Sequence, residues 1–150
     1  MTDPAAAKDR RHPRSKGRDL AIQMLYAWEA NRFVDDGFLL APGDLALAGA
    51  EVAEWARRMF SGVAAQRTPI DGAIDGRLTN WTIQRLAATD RAILRLGAWE
   101  IVYDEDLPPK VAITEAIRLA KEFGSDEKTP RLVNGVLDKL ARQHRNLGGE

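Results

Sequence analysis

Residues 45–63 read LALAGAEVAEWARRMFSGV. Apolar or small side chains fall at Leu45, Ala48, Gly49, Val52, Trp55, Ala56, Met59, Phe60 and Val63. Steps of three and four lay one continuous stripe over about five helical turns, at ~3.6 residues per turn. A half-buried strand would alternate instead, and these residues do not. The stretch is predicted as an amphipathic helix, and it sets the pattern for the rest of the chain.

Toward the C-terminus the same spacing recurs between breaks. Pro69 is expected to open a helix whose buried face carries Ile70, Ile74 and Leu78. Thr79-Asn80 offers a stop and a fresh N-cap before Trp81, Ile83 and Leu86. Thr89-Asp90 is a second cap pair, ahead of Ile93, Leu94, Gly97, Ile101 and Val102. Asp104 to Pro109 interrupts, and Val111, Ala112, Ala116, Leu119, Ala120 and Phe123 then make a further stripe that closes on Gly124 as a C′ residue. Ser125–Pro130 reads as a polar loop before Leu132, Val133, Val136, Leu137 and Leu140. Asn134-Gly135 is a hairpin signal when alternating residues flank it. Here the flanking residues recur with helical spacing, so helix is expected, with Gly135 serving close packing against a neighbour.

Toward the N-terminus, Asp35–Asp44 holds Asp-Asp-Gly and Pro-Gly and reads as a loop. Before it, Ala21, Met24, Leu25 and Trp28 mark a helix from Arg18 that ends near Asn31–Arg32. The fold class is therefore all-α, a compact domain of about seven helices. Residues 1–17 are expected as a basic, disordered arm, 18–144 as the helical body and 145–150 as a flexible tail.

The formal net charge is zero, but it is unevenly spread. Residues 1–18 hold Lys8, Arg10, Arg11, Arg14, Lys16 and Arg18 against only Asp3 and Asp9, and the remainder is acidic in balance. A basic arm on an acidic body suits a polyanion, although a solvated leader explains the same charges. The chain has no cysteine, which excludes disulfides, thiolate nucleophiles and cysteine zinc sites and points to a reducing cytoplasm. No apolar run approaches the ~18 residues of a membrane span.

Catalysis needs convergent groups, and the sequence offers none. His12 and His144 lie in charged terminal segments. Ser61-Gly62 has no strand-turn-helix setting, and no glycine-rich phosphate loop is present. Asp35-Asp36 and Asp104/Asp106 fit turns and caps better than a carboxylate pair. No catalytic residue, metal site or cofactor is expected.

Several stretches carry a more specific signal. Asp90–Leu96, DRAILRL, is followed by Trp99-Glu100; Pro108–Gly124 reads PPKVAITEAIRLAKEFG; Leu132–Lys139 reads LVNGVLDK; and Arg18–Glu29 reads RDLAIQMLYAWE. In order and spacing these resemble the NusB family, whose patterns are DRAILR…(Y/W)E, IPxKVAINEAVELAKxFG, FVNGVLDK and RELALQALYxWE. The resemblance implies two packed helical subdomains, about 18–78 and 79–144. It implies a transcription antitermination factor that binds boxA-type single-stranded leader RNA of ribosomal RNA operons with the ribosomal protein NusE. RNA polymerase with other Nus factors is the implied setting, and some members form homodimers that hide the RNA surface.

On that resemblance, Arg10, Arg11, Arg14, Lys16 and Arg18 are expected to neutralise phosphates, with arginines also stacking on bases. Tyr26, two turns after Arg18, is a stacking candidate or a core tyrosine. Lys128 and Arg131 match the basic pair placed beside the RNA, or are a solvated loop. Exposed Asp90, Arg91 and Glu100 are the candidates for the NusE surface, Asp90 having a helix cap as its alternative role. The arm departs from the family pattern at Pro13, Ser15 and Gly17, which predicts a less preformed arm and weaker RNA affinity. The loop Ser125–Arg131 is one residue longer than usual. The alternative function is a NusB-like RNA-binding or protein-interaction domain of another RNA-processing system.

Overall fold

The computed structural model describes residues 11–34 and 47–149, with side chains through residue 144. Among these residues there are six α-helices and no strand: α1 (Pro13–Ala30), α2 (Ala50–Ala65), α3 (Arg67–Asp75), α4 (Ala88–Tyr103), α5 (Pro109–Phe123) and α6 (Thr129–Gly149). Residues 1–10, the 35–44 loop and Leu45 lie outside the described residues.

Helix α4 is the axis of the fold. Eleven of its residues are buried, including every residue from Ala92 to Ile101. A helix buried on all sides belongs at the centre of a core, which explains why its apolar stripe is so broad. Helices α5 and α6 pack on α4 and on each other, and α1 pairs with α2. Met24, Leu25, Met59, Ile70, Ile93, Leu94 and Leu119 from both halves meet in one continuous cluster. Trp28 ties the end of α1 to this cluster, edge-on to Phe33 at 4.8 Å and to Phe60 at 5.5 Å.

Several expectations change. Helix α1 begins at Pro13, not Arg18, with His12 Nδ1 accepting from the Arg14 N–H as the cap. Proline at the first helical position costs no hydrogen bond, so Pro13 starts the helix where it was expected to interrupt the arm. Gly17 does not loosen this helix. A Cβ there would lie 2.7 Å from Trp55 Cβ and 3.2 Å from the Ala56 backbone nitrogen, so glycine lets α1 and α2 touch backbone to backbone. Helix α2 begins at Ala50, because Gly49 adopts φ 93° and ends the stripe there.

The segment expected to be a helix from Trp81 is a single 3-10 turn, Ile83–Arg85. Asn80 has φ 66° and does not cap it, and Trp81 stands half-exposed. Gly124 has φ −62°, not a left-handed C′ conformation. Its role is proximity, since a Cβ would strike Thr129 Cβ at 2.8 Å. Helix α6 opens at Thr129, with Pro130 in its first turn, and runs through 149 where a tail was expected. Gly135 is exposed with nothing within 4 Å of its would-be Cβ, so it serves no packing contact.

Candidate nucleic-acid interface

Helix α1 runs antiparallel to α4. Arg18 meets Glu100 near one end, and Glu29 meets Arg91 and Arg95 near the other. This register decides which charged residues remain available to a partner.

At the first end, α1, α4 and α5 bury a lattice of opposite charges. Arg18 is 2% exposed and Glu100 is 1% exposed. Arg18 Nε donates to both Glu100 oxygens at 3.0 and 3.2 Å, Nη2 donates to Oε2 at 2.8 Å, and Nη1 reaches Glu115 at 2.8 Å. Arg14 bonds Asp104, lies 3.6 Å from Glu100 and stacks over the Trp55 ring at 4.6 Å. Arg11 pairs with Asp19 at 3.0 Å. Arg118 gathers Asp19, Glu115 and Glu122 at 3.0, 3.0 and 3.4 Å. Burial pushes the Glu115 carboxyl up, but bonds from Ser15 and Arg118 and the charges of Arg118 and Arg18 outweigh it and hold the group below its usual range.

Arg18 and Glu100 are thus partners of each other, and neither is the surface contact expected of it. Their spacing within separate motifs gave no sign of this, because the pair is formed only when α1 lies antiparallel on α4. Arg118 belongs to the same lattice and was not singled out from sequence. Its position one turn beyond Glu115 was the only local signal, and it resembles an ordinary surface pair.

At the other end, Glu29 holds Arg91 at 2.7 and 2.5 Å and Arg95 at 2.7 Å, and Arg95 also pairs with Asp71 at 2.8 Å. Burial raises the Glu29 carboxyl, and the bonds and charges of Arg91 and Arg95 more than reverse this, so it lies below its usual range. Arg91 further donates to the carbonyls of Gln84, at 3.2 Å, and Leu86. Its role is to bind α1 and the 3-10 turn to α4, and it is not a free surface charge.

Asp90 is buried too, at 5% exposure. Its carboxylate accepts from the Ser125 N–H at 2.9 Å, the Ser125 hydroxyl at 2.6 Å and the Thr129 hydroxyl at 3.3 Å. Ala87 occupies the N-cap of α4. Asp90 therefore staples the α5–α6 loop and is neither an exposed contact nor a cap.

The remaining described candidates are exposed or half-buried. Tyr26 is 48% exposed on α1, Lys16 is half-buried near the start of that helix, and Lys128 and Arg131 are exposed around the start of α6. Arg10 lies outside the described residues. Among the described residues no group of three or more histidine, aspartate or glutamate side chains is arranged to hold a metal. No helix there is long and apolar enough to cross a membrane.

Residues 15–142 match the NusB family. The chain is 41% identical over 140 residues to a transcription antitermination protein NusB of Sorangium cellulosum, covering 90% of this chain and 94% of the relative. It is 39% identical over 130 residues to that of Bacillus velezensis, covering 85% and 94%. Among solved structures it is similar to Thermotoga maritima NusB, with a TM-score of 0.75 at 33% identity, covering 89% of this chain and 94% of that one. It is also similar to a chain of the crystal structure of antitermination factors NusB and NusE in complex with dsRNA, with a TM-score of 0.76 at 27% identity, covering 87% and 97%.

Proposed function

This chain belongs to the NusB family, and on that premise we propose that it is a transcription antitermination factor. It holds boxA-type single-stranded leader RNA of ribosomal RNA operons as a heterodimer with NusE, and joins RNA polymerase and other Nus factors in the cytoplasm. It acts by binding and not by catalysis. The observation that carries this reading is the likeness, over 87% of this chain, to a chain of the solved complex of antitermination factors NusB and NusE with dsRNA.

The RNA contacts proposed are Arg10, Arg11, Arg14 and Lys16 of the arm, Tyr26, and Lys128 with Arg131. The Arg14 guanidinium is shared with Asp104 and Trp55, and its side chain is 17% exposed. Phosphates meet the basic side chains, and the Tyr26 ring offers a stacking face. Arg18, Glu100 and Asp90 are proposed instead as the buried frame behind these contacts. The units about 18–78 and 79–144 are proposed as the two subdomains, joined through α4.

The test is reconstituted transcription through a terminator placed downstream of a boxA leader, with RNA polymerase, NusE and the other Nus factors. Adding this chain should raise read-through on the boxA template and leave a scrambled leader unchanged. Equal read-through on both templates would contradict the proposal.

A further inference from the structure

We propose that Asp19 and Asp104 are internal competitors of RNA, whose carboxylates hold Arg11 and Arg14 in an autoinhibitory pairing that a phosphate must displace. The inference rests on the RNA-binding reading above and concerns how that same site is regulated.

In the folded chain both arginines are already occupied. Arg11 Nη2 pairs with Asp19 at 3.0 Å, and Arg14 Nη2 bonds Asp104 and lies 3.6 Å from Glu100. A guanidinium grips a phosphate bidentately through two neighbouring nitrogens, Nη2 with either Nε or Nη1. On Arg14 the Nε atom is buried, and on Arg11 the Nη1 atom is buried. Each side chain is left with one bidentate grip, and that grip uses the Nη2 a carboxylate holds. A phosphate therefore takes the place of the carboxylate and does not bind beside it.

The charge balance points the same way. In the lattice that contains both pairs, four arginines meet five carboxylates, so it is negative by one charge. A basic run draws in a polyanion through its field, and at the root of α1 that field is cancelled. The acids are also the anchored partners. Asp19 is held by Arg118 at 3.0 Å and Glu100 by Arg18 at 2.8 Å, so neither follows a departing arginine. The arginines are the more accessible halves, with side chains 34% against 18% exposed for Arg11 and Asp19, and 17% against 3% for Arg14 and Asp104. When Arg14 leaves, Arg58, 5.2 Å from the same Trp55 ring, keeps a cation on the indole. The apparent RNA affinity is then lowered by the fraction of molecules in which the pairs stay closed.

The test titrates the full chain, with NusE, into a fluorescein-labelled single-stranded boxA RNA at ~0.15 M salt and follows anisotropy. Asp19→Asn and Asp104→Asn should each tighten binding ~2- to 5-fold, the effect of releasing one partly exposed ion pair. Each gain should vanish when the partner is already gone, in Arg11→Ala for Asp19→Asn and in Arg14→Ala for Asp104→Asn. Glu105→Gln removes an exposed charge next to Asp104 and should change affinity by less than either. Urea unfolding of each variant runs alongside, and Asp19→Asn, in the more exposed pair, decides the matter if Asp104→Asn is unstable. Unchanged or weaker binding by Asp19→Asn would overturn the competition and leave the RNA reading intact, because the carboxylate would then orient its arginine. A gain that persists without the partner arginine, or that Glu105→Gln matches, would overturn it as an effect of net charge alone. No boxA binding by the wild type or any variant would remove the RNA reading and the competition together.

Discussion

Arg18 and Glu100, 82 residues apart in sequence, face each other across α1 and α4 with three hydrogen bonds of 3.2 Å or less. Both are almost wholly buried, so the last arginine of the basic N-terminal run is part of the core. The N-terminal basicity thus divides into an inner share that locks α1 in place and an outer share that we propose meets RNA.

Removing one partner of a buried ion pair strands the other. Arg18→Met alone leaves Glu100 and Glu115 facing each other, and should cost ~3–5 kcal/mol in urea unfolding. Arg18→Met with Glu100→Leu should recover much of that stability, because a well-packed apolar pair is often as stable as the ions it replaces. Equal destabilisation in the single and double variants would contradict the burial of this pair.

Two glycines in helices should respond to alanine with opposite signs. Gly17→Ala places a methyl 2.7 Å from Trp55 Cβ and should destabilise by ~1–3 kcal/mol, despite alanine's better helix propensity. Gly135→Ala meets open space and should stabilise by up to ~1 kcal/mol. Thermal unfolding of both variants against wild type reads the two signs directly.

Glu29 and Glu115 are both held below their ordinary value of 4.5 by arginine partners. A carboxyl with a lowered folded-state pKa contributes stability that is present above its unfolded value and disappears as pH falls through its folded value. Urea midpoints should therefore be flat from neutral pH to about 5 and fall below about 4.5. Glu29→Gln should lower the midpoint at neutral pH and reduce the slope of the acid limb. An unchanged acid limb would show that Arg91 and Arg95 do not hold this carboxylate.

Tyr26 stands 48% exposed beyond the arm. Tyr26→Ala should weaken RNA binding by ~1–3 kcal/mol with little change in unfolding temperature, while Tyr26→Phe should change little in either. A drop in stability without a change in RNA affinity would mean the ring serves packing alone.

The all-α class, the central helix and most core positions were legible because a helical stripe repeats at a fixed period. Leu94, Ile101 and Leu119 were named from spacing and are fully buried. What escaped was set by tertiary contact. Asp90, Arg91 and Glu100 are polar residues in a motif and invite a surface role, but each finds its partner on another element. Pro13 and Gly17 looked like interruptions because local propensity cannot see that one starts the helix and the other lets α2 approach. Trp81 looked like a core residue of a helix, but it follows the left-handed Asn80 and stands half-exposed. For the proposed site, spacing offered only a set of basic and aromatic residues, and tertiary contact sets which of them are buried and which are exposed.

The most direct measurement of the central claim is fluorescence anisotropy of a single-stranded boxA RNA against a scrambled RNA, with and without NusE, at several salt concentrations. The predicted result is preferential boxA binding, tightened by NusE, with log affinity falling against log salt at a slope near −3 if about four phosphates are met. Changing Arg10, Arg11, Arg14 and Lys16 together to alanine should abolish most of that slope. Equal binding of both RNAs, with no response to NusE or to removal of the arm's charges, would contradict the account.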